Sequence, residues 1–474
     1  MTPPPPGPTA DRHTPQGWWL ERAGPVGPRP ALEGDEDADV VVVGGGYTGM
    51  WAAWHIKRLE PEARVAVCEA AICGEGPSGR NGGFVNQMWF SLPAMRRRFG
   101  DAPALAVARA AREAVRGVGR FCEEQGVDAW FHPGGYLQVS TTPLHDDAWQ
   151  PTVAACQELG EPDECVPLSP AEVRVRCASP IFRGGAFYPG AATVNPALLA
   201  RGLRARLVDA GVAVFERTEV RRLEGSRGGV VAVTGGGSVR ADAAVLASGG
   251  RLARVPALRR RLTLTSSHMV ITEPVPDVLG ELGWTGGECI TDSRATLHYF
   301  RTTPDGRIAF GWGGGRVAFG ARTGGRAEVD PRVASAVERR LLRFFPQLAG
   351  RRVEHAWGGP IDVSPTHLPV VGSVPGKPMH FAFGYTGNGV GPSHMTGRIL
   401  ASLALDRRDE PSRLAIVDPS PVRVPPEPLR FVGGSIIRRA LLRKEEAEER
   451  GHRPDPLTAL VAAIPERIGI HVGR

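Results

Sequence analysis

Lysine is almost missing from this chain. Only Lys57, Lys377 and Lys444 occur among 474 residues, and arginine supplies nearly all of the formal charge of +7. Those arginines are scattered rather than clustered, so the basic balance reads as an ordinary surface and not as a nucleic-acid footprint. Cysteine is limited to seven residues (68, 73, 122, 156, 165, 177 and 289) with no C-x-x-C pair. That argues against a disulfide scaffold, a zinc ribbon or a dithiol redox centre. No apolar run reaches the roughly 18 residues of a membrane-spanning helix. The first thirty residues hold nine prolines and no apolar signal-peptide core. A cytoplasmic enzyme with no metal centre and no nucleic-acid or membrane partner is expected; its oligomeric state is left open. Glycine (61) and proline (43) are abundant but aperiodic, which excludes a collagen-like chain. The length suits about two to four domains.

Asp39 to Val43 is a continuous apolar run, as expected for a parallel strand covered on both faces. Gly44-Gly45-Gly46-Tyr47-Thr48-Gly49 follows it, then a helix to Leu59, a second strand to Cys68, and Glu69. This is G-x-G-x-x-G in its full βαβ context. Gly44 permits the tight turn, Gly46 lets the backbone approach a pyrophosphate, and Gly49 lets helix and strand pack. The helix N-terminus offers N–H groups to phosphate, and Glu69 accepts from a ribose hydroxyl. Ser78-Gly79-Arg80-Asn81-Gly82-Gly83 is rich in donors and poor in bulk, suited to a flat ring or phosphate against backbone. Gly235 to Arg240 lacks the last glycine and reads as a hairpin turn, so no NAD(P)H site is expected. Further along, Ser169-Pro170-Ala171-Glu172 is a capping box, and Asn195-Pro196 and Asp330-Pro331 each open a helix. Residues 262–325 look strand-rich.

Five segments together resemble the FAD-dependent D-amino-acid oxidase/glycine oxidase superfamily: Asp39–Gly49, Ser78–Gly83, Ala192–Pro196, Ala244–Gly250, and Gly384–Val390 leading to Gly397-Arg398. Within it they look most like bacterial γ-glutamylputrescine oxidase-like amine oxidases. The resemblance implies an α/β protein in which a Rossmann-like FAD domain (37–100, 190–260, 355–405) interleaves with a mixed substrate domain bearing an antiparallel sheet (101–189, 261–354). A Pro-rich arm (1–36) and an extension with short helices (406–474) flank them. It further places Val220 near the adenine, Gly249 near the pyrophosphate, and Gly384, Tyr385, Gly387, Asn388 and Gly389 near the isoalloxazine ring. A helix starting after Gly389 turns its positive end toward the flavin N1–C2=O edge. Some relatives attach FAD through a His or Cys. Here the 78–83 loop has no His and no Cys follows Cys289, so non-covalent FAD is expected.

The implied reaction is oxidation of an amine or amino acid to an imine, with O2 as acceptor. Some relatives activate oxygen with a Lys beside the flavin. The scarcity of lysine keeps open a dehydrogenase with another acceptor, and a flavin-free binding protein is the reading from a different class. For the substrate, Tyr299 and Arg301 share one face of a strand and His298 and Phe300 the other. Arg301 could pair a carboxylate, and His268 enters the substrate domain from the FAD domain. His367, His394 and Trp357 read as structural. In the tail, Ile436, Ile437, Ala440 and Leu441 form a short stripe expected to dock on the chain's own surface.

Overall fold

The computed structural model describes residues 12–226, 228–320 and 322–471, and among these the strands form two large sheets and one two-stranded ribbon. The first sheet grows outward from Glu36–Val43, where Val40, Val41 and Val42 are fully buried. Val65–Cys68 lies parallel on one side, followed by Ala213–Phe215, and Ser238–Leu246 lies parallel on the other, followed by Met379–Phe383. Five strands from three distant stretches of chain thus build one parallel core, and helices cover it. Tyr47–Leu59 packs against Val390–Ala404 through residues such as Met50, Trp51 and Ile399, each shielded from water. The Gly235–Gly237 turn joins Gly229–Val233 to Ser238–Leu246, the hairpin expected of it.

The carboxyl ends of the parallel strands converge. Gly44 N–H donates to Cys68 O at 2.9 Å, and Ala247 N–H donates to Val43 O at 2.9 Å. Open α/β sheets bind their ligands at that edge.

The second sheet is mostly antiparallel. Its centre is Thr263–Thr272 between Val353–Val363 and Ile308–Trp312, with His298–Thr302, Cys289–Asp292 and Tyr136–Ser140 continuing outward. Alternation along His298–Thr302 separates two faces, as the sequence predicts. His298 and Phe300 enter an aromatic core with Phe310 and Phe344, backed by the amphipathic helix Pro331–Phe344. Tyr299 and Arg301 point the other way, toward the segment Gly82–Phe84.

The expected caps are present. Ser169 and Glu172 form the capping box, the Asn195 side chain accepts from Ala197 and Leu198 N–H, and Asp330 accepts from Arg332 N–H. The helices Leu92–Phe99 and Gln150–Glu158 have no counterpart in the sequence reading; each is short and carries a Pro in its first turn. The N-terminal arm is more deeply embedded than a surface strap. Trp18, Trp19 and Leu20 of the helix Gly17–Ala23 are buried with Ala197, Met269 and Trp357. Gly17 (φ +74°) presses on the Trp357 ring, where a Cβ would lie 2.6 Å away, so no other residue fits without displacing it.

Candidate active site

A single cavity of about 1600 Å³ runs from the carboxyl edge of the first sheet to the open face of the second. Its volume exceeds the range of about 300–1000 Å³ usual for one small ligand, leaving room for a dinucleotide and a substrate together.

At the dinucleotide end the wall is backbone. Gly44 holds φ +111°, and a Cβ there would lie 2.7 Å from Ala247 O. A Cβ on Gly49 would lie 2.0 Å from Gly44 O, so Gly49 serves helix–strand packing and stays off the wall. Gly46 caps Tyr47–Leu59 with no side-chain bond, which leaves first-turn N–H groups to face the cavity. Tyr47 N–H already donates to Ser78 Oγ (2.9 Å), and the Tyr47 hydroxyl donates to Pro196 O. Glu69 lies on the wall, accepting from Gly45 N–H (2.7 Å) and Ala71 N–H (2.8 Å). Val220, Ser248 and Gly249 complete this end. Its glycine cradle, uncapped helix start and carboxylate acceptor fit a ribose and pyrophosphate.

The next part of the wall is the loop from Ser78 to Gly82. Ser78, Arg80, Asn81 and Gly82 line the cavity; Gly79 does not, because a Cβ there would meet Gly74 O at 2.4 Å. Asn81 fixes the loop by accepting from Gly83 N–H and donating to Ser78 O. Arg80 pairs with Glu328 (3.1 Å). Opposite lie Tyr385, Thr386, Gly387, Asn388 and Gly389, which precedes the helix Val390–Ala404 without a side-chain cap. Gly384 sits behind them against Ser364. The Tyr385 hydroxyl faces inward, bonded to Thr48 (2.8 Å) and Thr396 (2.6 Å), tying the first and last helices of the sheet together.

Tyr299 is the one sequence-predicted substrate residue that lines the cavity. Its hydroxyl meets Ser267 Oγ at 2.7 Å, its ring lies against Gly82, and burial pushes its pKa up to about 12. Arg301 does not reach the cavity, contrary to the expectation of a carboxylate ligand. It is 2% exposed, and its guanidinium donates to Thr302 O, Gly83 O and Val194 O, tying the antiparallel sheet to the ends of the two-stranded ribbon. His268 is likewise off the wall. Its strand turns Ser267 and Met269 to the cavity and His268 to the opposite face, against Gly358. Burial lowers the His268 pKa to about 4, so it is neutral and has no site to act on.

Asp362 and His367 were missed as wall residues. Asp362 ends a long strand, accepts from Gly384 N–H (2.7 Å), and has its pKa raised to about 6 by desolvation. His367, read as structural, lines the cavity with its ring edge-on to His471 at 5.0 Å. His394 is buried beside His55 and Trp51, away from the cavity. No lysine lines the cavity; Lys57 caps a helix end at Pro61 O and Ala63 O. Among the described residues no three His, Cys, Asp or Glu side chains group as metal ligands, and no helix is long and apolar enough to cross a membrane.

A dinucleotide cradle opening directly into a chamber under an antiparallel sheet defines a flavin-dependent oxidoreductase of the interleaved two-sheet class. The chain belongs to the FAD dependent oxidoreductase family DAO, whose sequence profile matches residues 39–403. It is 30% identical to a probable oxidoreductase OrdL of Rhizobium meliloti (strain 1021) over 90% of this chain and 94% of that one. It is 27% identical to the γ-glutamylputrescine oxidoreductase of Escherichia coli (strain K12), covering 81% and 88%. The crystal structure of glycine oxidase from Geobacillus kaustophilus superposes with a TM-score of 0.65 at 22% identity, covering 79% of this chain and 96% of that one. The protein is therefore an oxidoreductase of the amine and amino-acid oxidase family, with FAD as its cofactor.

Proposed function

We propose that the enzyme oxidises the C–N bond of a small amine to an imine, which water hydrolyses, with O2 as acceptor. In balance, R–CH2–NH2 + O2 + H2O gives R–CHO + NH3 + H2O2. Bound FAD would supply the acceptor for the hydride equivalent from the carbon bearing nitrogen. The residues supply position and a dry chamber. Glu69 and the glycine cradle hold the cofactor, and the Ser78–Gly82 loop and the Tyr385–Gly389 turn bracket its ring. Tyr299 and Ser267 orient the substrate, and Asp362 favours a cationic amine over an anion at that wall.

The observation that carries this reading is the Tyr299–Ser267 pair facing the Ser78–Gly82 loop across one cavity continuous with the cradle. The relatives named for γ-glutamylputrescine and glycine agree with a nitrogenous substrate. An amine is favoured over an α-amino acid because Arg301 is occupied by backbone carbonyls. The test is an anaerobic screen of amines for bleaching of the bound flavin, followed by peroxide measurement in air. A flavin that no amine or amino acid bleaches would sink the proposal. A second reading, transfer to a carrier other than O2, is favoured by the absence of lysine from the cavity wall. Fast dye reduction without peroxide would select it.

A further inference from the structure

The family profile ends at residue 403, yet the chain behind it closes one side of the substrate chamber. Helix Leu429–Glu449 crosses the loops at residues 293–297 and 313–317. It is fastened along its whole length. Arg430 donates to Arg259 O and Leu262 O, Thr296 N–H donates to Glu445 (2.8 Å), and Glu449 pairs with Arg294 and with Arg343. Such a helix is a fixed wall. Its cavity face is Leu429, Gly433, Ile437 and Leu441 at four-residue spacing, with Gly434 and Arg438 beside them.

Two features of that face point to a ligand. Gly433 and Gly434 each weaken a helix interior by about 1 kcal/mol relative to Ala, and a Cβ on Gly433 would meet open space. Small residues there leave a passage along the wall. Arg438 is the second feature. Three cavity-lining arginines are half-buried: Arg80, Arg430 and Arg438. Arg80 has Glu328 and Arg430 has Glu427. Arg438 has only backbone carbonyls, Gly315 O for Nε and Gly314 O for Nη2. The neighbouring carboxylate, Asp330, is taken by Arg316 at 2.6 Å. A guanidinium carries five N–H donors, so three remain, with no anion to meet them.

The position lies on the same stretch of wall as the Tyr299–Ser267 pair. Gly315 lies against Ser266, where a Cβ would come within 2.0 Å of Ser266 O, and the next residue, Ser267, bonds Tyr299. We infer that Arg438 binds an anionic group, a carboxylate, at the far end of an amine substrate whose aliphatic linker leads from the Tyr299–Ser267 pair to this helix and lies against Ile437. This rests on the amine-oxidase reading above and sharpens it. The substrate is an amine without a carboxylate at the reacting carbon but with one at the other end of the chain.

The test uses the FAD-loaded full-length protein and two matched pairs of probes. Binding of hexanoate and of hexanamide is followed by perturbation of the flavin spectrum or by calorimetry, with no turnover needed. Turnover is compared for 6-aminohexanoate against 6-aminohexanamide, and for the eight-carbon pair. Wild type should prefer each carboxylate by roughly tenfold or more, the scale of a charge-assisted contact. Arg438→Gln should bring the ratio to about one, and Arg438→Lys should restore part of it. Equal binding of hexanoate and hexanamide by wild type overturns the inference, and it does so even if Arg438→Gln fails to fold. A preference that survives in Arg438→Gln overturns it too. If hexanoate binds through Arg438 but no amine bleaches the flavin, the anion site stands and the amine-oxidase reading falls.

Discussion

Glu69 shows how one side chain serves two roles. Its oxygens hold Gly45 and Ala71 N–H and so shape the turn, and the same carboxylate borders the cavity where a ribose would lie. Glu69→Ala removes a side-chain hydrogen-bond acceptor, and the loss is about 2 kcal/mol, roughly thirtyfold in FAD affinity. Titration of apoprotein with FAD by flavin fluorescence measures it, and an unchanged Kd would remove Glu69 from the site. Three other side chains tie stability to pH, two histidines with one sign and a carboxylate with the other. His55 and His394 are buried together, and desolvation depresses both, His394 to about 3. Their folded pKa values lie below the ordinary value near 6.5, so their contribution is complete above that pH and is lost as pH falls. Asp362 is raised from the ordinary carboxylate value to about 6 by desolvation. Its contribution is complete below about pH 4 and is lost as pH rises through 6. His394→Leu should therefore flatten the acid limb of the thermal midpoint below pH 6.5. Asp362→Asn should remove the fall between pH 4 and 6 while its amide oxygen still accepts from Gly384. Thermal melts across pH 4–8 separate the two; superimposable profiles for wild type and both variants would refute the assignments.

At the scale of elements, the tail helix is where contact networks outrun local pattern. The sequence marks a stripe of Ile436, Ile437, Ala440 and Leu441, and a docking helix is there, but it spans Leu429–Glu449, well beyond the stripe, and docks mainly by charge. Ile436 stays 55% exposed, whereas Glu445 is 6% exposed and Ala440 7%. Arg294, 2% exposed, meets both Asp292 and Glu449. Nothing in a window of sequence pairs residue 294 with residue 449, because the match is made by tertiary folding. The glycine turns were legible for the opposite reason. Gly49 is demanded by Gly44 O five residues away and Gly44 by its own φ of +111°, so the pattern that reports them is local. Breaking a buried pair by removing one partner costs about 3 kcal/mol. Glu449→Gln should accordingly lower the thermal midpoint, leaving Arg294 and Arg343 facing each other, and deletion of residues 430–474 should lower it further. A tail that can be deleted with no change in midpoint would mean that the network contributes nothing.

For the molecule as a whole, the interleaving of two sheets decides which side chains can reach the cofactor, and that bears on how FAD is held. The parallel sheet turns its strand ends to the cavity, and the antiparallel sheet turns one face to it, so most reactive side chains are sealed behind one or the other. All seven cysteines are buried, and only Cys68 borders the cavity, one residue before Glu69 at the ribose end. Burial drives its thiol up to about 12, which keeps it protonated and unreactive. Among the described residues the histidines on the cavity wall are His367 and His471. They face each other edge-on, and the backbone of His471 is fixed to Pro365 O at 2.8 Å, an arrangement that closes the chain end over the turn. With no cysteine at the ring end and the two histidines engaged with each other, attachment of the flavin should be non-covalent. The cofactor then stabilises the fold by mass action, about 2.7 kcal/mol at a hundredfold excess over Kd, and added FAD should raise the thermal midpoint of apoprotein. Acid precipitation should release all the yellow colour into the supernatant. Flavin retained in the pellet would refute this, and its loss from the pellet in His367→Ala would then identify the attachment point.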